Sequence, residues 1–362
     1  MRYYGAMPAS PPPRGATRNG ASTRFSLPTK QEDGDWLDSR EDLDGAPPPL
    51  KTTVTVERPR TIITRNTSPD IHFDRSINAY RGCEHGCIYC FARPTHAFHD
   101  LSPGIDFETR LFAKPSAPDL LRAELAKPGY ICSPIAMGTN TDPYQPIERD
   151  WTITRQCLEI MRETHHPVTI VTKSHRVMRD IDILADMARE SLTTVAISVT
   201  SLDPKIARTL EPRAPTPSRR LAAIGALASA GVPVYASISP VVPAITDHEI
   251  EHILEAVAEK GAIAAFFLPV RLPFEVAPLF EAWLETHYPD RAAKVLNTIR
   301  SIRDGRENDP NFFTRMRGSG PWADLLRTRF SIACRKLGLN RQRVTLRTDL
   351  FRPPEGAQMR LF

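Results

Sequence analysis

Cys83, Cys87 and Cys90 stand in the stretch Arg81-Gly82-Cys83-Glu84-His85-Gly86-Cys87-Ile88-Tyr89-Cys90, spaced C-x3-C-x2-C, and make up half of the chain's six cysteines. Their neighbours are Arg, Glu, His and Gly, not the apolar company of core cysteines. Gly82 and Gly86 permit tight bends, so three thiolates can converge. Converging thiolates bind zinc or an iron–sulfur cluster, or they oxidise to disulfides. A structural zinc site needs a fourth ligand, and no second C-x2-C pair occurs. Three cysteines can also hold a 4Fe–4S cluster with one iron left open. The spacing reads as a metal or cluster site ahead of a disulfide. Cys132, Cys157 and Cys334 are isolated, and Cys157 falls on an apolar helical face.

An alternation of strands and helices must position that loop. Strand candidates begin near Ile77, Ser133, Val168, Val195, Val234 and Ala264. Val168 to Thr172 is β-branched, as a buried strand favours. Ile153, Cys157, Leu158, Ile160 and Met161 share one helical face, and the helix from Ser218 to Ala230 closes on Gly231. Asp247 reads as the cap of a helix running to Lys260. This order implies right-handed crossovers and a parallel sheet, which a doubly wound sheet and a partial barrel would both satisfy. Ile77 to Tyr80 reads as the first strand, so the cysteine loop follows its C-terminal end. Beyond Pro273 the pattern is helical and rich in arginine, including Arg300, Arg315, Arg327, Arg329 and Arg335.

The chain has 362 residues, 41% of them hydrophobic, and a formal net charge of +5. That supports a sizeable core, while so mild a charge is a weak argument for nucleic acid. No stretch reaches the apolar length of a membrane span. Met1-Arg2-Tyr3-Tyr4-Gly5 lacks the apolar core of a signal peptide. The irregular cysteine spacing does not read as a secreted framework, so a cytoplasmic location is expected. Residues 1–55, with two Pro-Pro-Pro runs and an acidic run around Trp36, read as a disordered tail, with Trp36 as a candidate docking residue. Residues 56–275 then form the α/β domain, 276–340 a helical extension and 341–362 a second tail.

The run from Ser76-Ile77-Asn78-Ala79-Tyr80 to Cys90-Phe91-Ala92-Arg93 resembles the cluster loop of radical S-adenosylmethionine (SAM) enzymes. It looks most like the branch containing spore photoproduct lyase, the "DNA repair photolyase-like" branch. Gly138-Thr139-Asn140-Thr141-Asp142-Pro143-Tyr144-Gln145-Pro146 and Glu211-Pro212-Arg213 resemble a bacterial subfamily of that branch with no assigned reaction. The resemblance implies an α/β partial (β/α)6 TIM-like barrel of parallel strands, with chemistry at the strands' C-terminal ends. It implies that Cys83, Cys87 and Cys90 hold a 4Fe–4S cluster whose fourth iron binds SAM, cleaved reductively to a 5′-deoxyadenosyl radical. Tyr89 matches the position near adenine, Asn140 and Thr141 that of contacts to the SAM amino group, and Ser198 and Thr200 that of ribose or methionine contacts. Glu211 and Arg213 are expected to contact SAM or to pair with each other. Lys173 and Arg271, near strand ends, could face an anionic substrate, and His85 reads as a solvated loop histidine. The implied partners are a reductant such as flavodoxin or ferredoxin and an unidentified substrate, with nucleic acid as a candidate. Two other readings stand beside this one. One is direct reversal of DNA lesions, although the hydrogen-donor cysteine of spore photoproduct lyase maps to no position here. The other is a non-catalytic zinc or iron–sulfur protein that binds a partner through its basic C-terminal helices.

Overall fold

A computed structural model describes residues 14–16, 22, 24 and 51–354. Six parallel strands form one sheet in sequential order: β3 (Arg75–Ile77), β6 (Ile135–Met137), β7 (Val168–Thr172), β8 (Thr193–Ser198), β9 (Val234–Val241) and β10 (Ala264–Pro269). A doubly wound sheet reverses its strand order at a switch point; here each new strand joins beside the last, the order of a curling partial barrel. β2 (Thr64–Arg65) adds an antiparallel edge to β3. A small second sheet joins β1 (Thr53–Val56), β5 (Arg110–Ala113) and β4 (Tyr80–Arg81). The expected first strand therefore ends at Ile77. Tyr80 and Arg81 pair instead with Ala113 and Phe112 of the small sheet, so the cysteine loop starts from its rim.

Helices cover the outer face of the sheet: α1 (Ala117–Leu125), α2 (Ile153–Glu163), α3 (Ile181–Arg189), α5 (Pro217–Ser229) and α6 (Ile250–Glu259), while α4 (Pro204–Leu210) packs on the cysteine loop. Their apolar stripes carry Leu158, Leu184, Ile224 and Leu254, which pack on the strands. Cys157 is buried in this core, as its helical spacing suggests. Asp247 does not cap α6; it lies in a 3-10 turn ahead of the helix and accepts from Trp322 Nε1 at 3.3 Å. Helices α7 (Val276–His287), α8 (Pro289–Ser301) and α9 (Gly320–Leu337) follow the barrel. Val276, Phe280 and Trp283 of α7 share a core with Cys87, Ile88 and Tyr89, so this extension packs directly on the cysteine loop. The exposed edge of β10 is blunted by Asn340, whose side chain donates to Ala265 O at 3.0 Å and accepts from Ala265 N at 2.9 Å.

The expected boundaries shift at both ends. Strand β1 crosses the proposed limit at residue 55. Gly15 and Ala16, assigned to the tail, are buried, and their N–H groups donate to the Glu108 carboxylate at 2.9 and 2.8 Å. Trp36 and the acidic run lie outside the described residues. Residues 341–354 are no loose tail. Arg352 N donates to Thr164 O at 2.9 Å, and Phe351 stacks near Tyr130 and His166. Residues 355–362 lie outside the described residues. His166 is fully buried between Tyr130 Oη (2.8 Å) and Pro167 O (3.0 Å).

Two predictions arise from this packing. Burial pushes the imidazoles of His166 and His96 down to about 4, against ~6.5 in an unfolded chain. The unfolded state alone takes up these protons between those values, so stability should fall as pH drops from ~6.5 towards ~4, by up to about 3 kcal/mol per histidine. Urea titrations across that range measure it, and His166→Gln should flatten the slope. A Cβ on Gly15 would meet Gly86 O at 1.7 Å. Gly15→Val should therefore detach the segment and remove its bonds to Glu108, costing on the order of 3 kcal/mol. An unchanged unfolding midpoint would show that this segment contributes nothing to the domain.

Candidate functional site

The cysteine loop is wound tightly against the short helical turn Asp106–Thr109. Gly82 and Gly86 sit at φ +71° and +67°. A Cβ would strike Phe107 O at 2.8 Å in the first case and Glu108 Oε2 at 2.8 Å in the second. Cys83 N donates to Phe107 O at 2.9 Å and Cys90 N to Cys87 O at 3.2 Å. Arg93, fully buried, holds the loop's carbonyls. It donates to Cys87 O at 2.9 Å, Gly86 O at 3.1 Å, Pro103 O, Gly104 O and Glu108 Oε1 at 2.6 Å. From the other side Gln145 accepts from Glu84 N and donates to Gly82 O, both at 3.1 Å.

Cys83 and Cys87 are buried, Cys90 is half-buried, and all three are free thiols. Burial pushes the Cys83 thiol well up, with Asp142, Cys87 and Cys90 adding to the effect. Burial likewise pushes Cys87 up to about 12; Lys173 opposes this, while Glu211 and Cys90 add to it. The thiols thus lie within each other's fields, and the thiolate forms of Cys83 and Cys87 need added positive charge. Soft thiolates gathered this way suit zinc, copper(I) or an iron–sulfur cluster. Among the described residues, no three His, Cys, Asp or Glu side chains close on a single ion. A cubane differs in taking each thiolate at a separate corner.

Beside Cys87 lies a buried polar node. Glu211 accepts from the hydroxyl of Tyr89, from Thr200 Oγ1 at 2.6 Å and from Arg220 Nη2. Burial works against the Glu211 charge, but Arg220 and Lys173 outweigh it and bring the carboxyl down to about 2. Arg220 also donates to Ser198 O at 3.2 Å and Pro215 O at 2.8 Å. Tyr89, Ser198, Thr200 and Glu211 are therefore brought together, through an arginine that sequence reading did not single out. Arg213 does not pair with Glu211. It reaches Glu84 Oε1 at 3.1 Å, and its N–H donates to His85 O at 3.2 Å.

At the end of β6, Asn78 Oδ1 accepts from Asn140 N at 3.0 Å and Thr141 N at 3.4 Å. Thr141 Oγ1 is spent on Tyr80 O at 3.1 Å. Asp142 accepts from Thr172 Oγ1 at 2.7 Å and Lys173 N at 2.8 Å, and lies 3.4 Å from His85 Nδ1. Burial raises its carboxyl, but His85 and these hydrogen bonds overcome that and take it to about 2. His85 is buried, not solvated. Arg271 lies over the ring of Phe91, 5.1 Å from its centroid, at the loop's exit.

Many C-terminal arginines are already partnered. Arg300, Arg315 and Arg329 pair with Glu307, Asp70 and Glu251, each at 2.6 Å, and Arg327 pairs with Asp324. Arg303 is buried and donates to Val270 O at 2.8 Å. Arg306, Arg317, Arg335, Arg341 and Arg343 have no ion pair among the described residues, so only part of the expected basic footprint is neutralised.

An uncharacterized protein of Mycobacterium tuberculosis is 34% identical over 230 residues, 63% of this chain and 68% of its own. An uncharacterized protein of Methanocaldococcus jannaschii is 28% identical over 221 residues, 61% of this chain and 79% of its own. Spore photoproduct lyase complexed with a dinucleoside spore photoproduct superposes with a TM-score of 0.57 at 16% identity, covering 83% of this chain and 86% of that one. That likeness is one of fold. The model of the radical SAM superfamily matches residues 77–257, half of the chain, from the strand before the cysteine loop into α6. With its cysteine loop at the head of six sequential parallel strands, this chain belongs to the radical SAM superfamily.

Proposed function

We propose that this protein is a radical SAM enzyme whose 4Fe–4S cluster is held by Cys83, Cys87 and Cys90. The observation that carries the reading is a set of three thiols, two of them buried, on a loop fixed by Arg93 and Gln145. Burial of Cys83 and Cys87 disfavours their thiolates unless a cationic group binds them. The cluster, once bound, supplies the electron that cleaves SAM to a 5′-deoxyadenosyl radical. The chain's own residues hold and shield. Asn140, at the end of β6, takes the SAM amino group, its amide side chain having no hydrogen-bond partner among the described residues. Ser198 and Thr200 line the ribose or methionine side. Tyr89 and Glu211 act with Arg220 as one rigid wall beside Cys87, and Arg213 steadies the loop through Glu84. The electron comes from a reductant of the flavodoxin or ferredoxin class.

Anaerobic reconstitution should load about four irons per chain. Cys83→Ala, Cys87→Ala and Cys90→Ala should each abolish iron uptake and reductive SAM cleavage, while Cys157→Ala keeps both. Stoichiometric zinc with no iron uptake would overturn the reading, and a loaded cluster without SAM cleavage would favour a structural role. Arg220→Ala leaves the Glu211 carboxylate buried and unpaired, so it should cost roughly 3–5 kcal/mol in urea unfolding. The double change Arg220→Met/Glu211→Leu should recover most of that loss, which separates the charge from the packing.

A further inference from the structure

A cavity of about 240 Å³ opens beside the cysteine loop, lined by His85, His175, Arg176, Arg213, Thr216 and Arg219 among others, with no Asp or Glu on its walls. Besides His85 of the cysteine loop and Pro146, three segments build it. The residues after β7 bring His175 and Arg176. The connection from α4 to α5 brings Arg213 and Thr216. The first turn of α5 brings Arg219. All are on the C-terminal side of the strands, where the cysteines also lie.

The charges on this wall are out of balance. Arg213 is paired with Glu84, yet its Nε is buried with no partner. Neither Arg176 nor Arg219 has an ion pair among the described residues, in contrast to Arg300 of α8 and Arg327 and Arg329 of α9. His175 Nδ1 is likewise buried and unpartnered. Burial disfavours the His175 imidazolium, and Arg219, Arg176 and His85 disfavour it further, as a surplus of positive field requires. The 13-residue helix α5 adds the positive end of its dipole at Thr216, whose side chain makes no cap hydrogen bond.

The buried, unpartnered Arg213 Nε and His175 Nδ1 are a cost to the free protein that a bound anion removes, and Arg176 and Arg219 add unpaired charge at the mouth. The space equals roughly eight waters at ~30 Å³ each, ample for a phosphoryl group. Several forked guanidinium groups and a helix N-terminus match three peripheral oxygens and a double charge better than they match one carboxylate. We propose that this cavity binds a phosphate group, and that the substrate brought to the cysteine loop carries one. The second clause rests on the radical SAM reading; phosphate binding does not.

The test is calorimetric titration of the reconstituted full chain at low salt with inorganic phosphate, acetate, adenosine 5′-monophosphate and an unphosphorylated dithymidine dinucleotide. Phosphate should bind and acetate should compete poorly. Stronger binding of the monophosphate would identify a phosphomonoester substrate, and stronger binding of the dinucleotide a phosphodiester. Arg219→Ala and Arg176→Ala should each weaken phosphate binding at least tenfold, roughly one charge-assisted contact. Arg219→Lys should recover part of the loss, and Arg335→Ala, exposed on α9, should change nothing. Unchanged thermal midpoints and iron contents would show that the variants are folded. No phosphate binding, equal binding of acetate, an equal effect of Arg335→Ala, or displacement of phosphate by SAM one for one would each overturn the proposal. Reductive SAM cleavage by the wild-type protein is read separately. Its absence would remove the enzyme reading and leave an Arg219-dependent phosphate site standing.

Discussion

The cysteine loop hangs on one buried guanidinium. Arg93 has no exposed surface, and carbonyl oxygens alone would not offset a cation taken out of water. The Glu108 carboxylate does so, at 2.6 Å, and the remaining N–H groups are satisfied by Gly86, Cys87, Pro103 and Gly104. The consequence runs outward. Glu108 also holds Gly15 and Ala16, so the loop, the turn at Asp106–Thr109 and a piece of the N-terminal segment behave as one unit. Buried pairs of this kind contribute little net stability, but breaking one is costly, so they fix geometry. Three thiols proposed to hold one cluster between them need fixed geometry more than they need stability.

A second buried pair, Arg220 with Glu211, does the same on the other side of the loop, where Tyr89 joins it. Behind Tyr89, Trp283 and Phe280 fill the space, and Trp283 Nε1 donates to Thr209 O at 2.9 Å. The loop is thus clamped between two ion pairs, with the C-terminal helices closing the apolar side. This explains why an extension that looks separate along the chain belongs to the site.

The distribution of arginine follows the same electrostatic rule. On α8 and α9 most guanidinium groups have a carboxylate within reach, and such exposed pairs leave little net field. Arg176, after β7, and Arg219, in the first turn of α5, have no such carboxylate partner among the described residues, and a positive field persists there. Density of arginine along the sequence therefore does not show which guanidinium groups remain unpaired.

What the sequence determined by itself was local. The C-x3-C-x2-C spacing needs only eight consecutive residues, and the six strand starts follow from short apolar or β-branched runs between helical stripes, so both were legible without any long-range contact. Strand order was not legible, because the same alternation fits a doubly wound sheet; hydrogen bonding between successive strands decided for the barrel. Partners were not legible either. Arg213 stands two residues from Glu211 but pairs with Glu84, while Arg220, nine residues on, takes Glu211. His85 and His166 sit among polar neighbours in sequence and are buried in space, and Gly15 reaches Gly86 across the chain. Charge pairing and burial act through distance in three dimensions, which a linear pattern does not contain. Only the tertiary structure could choose which carboxylate each arginine meets, and which arginines meet none.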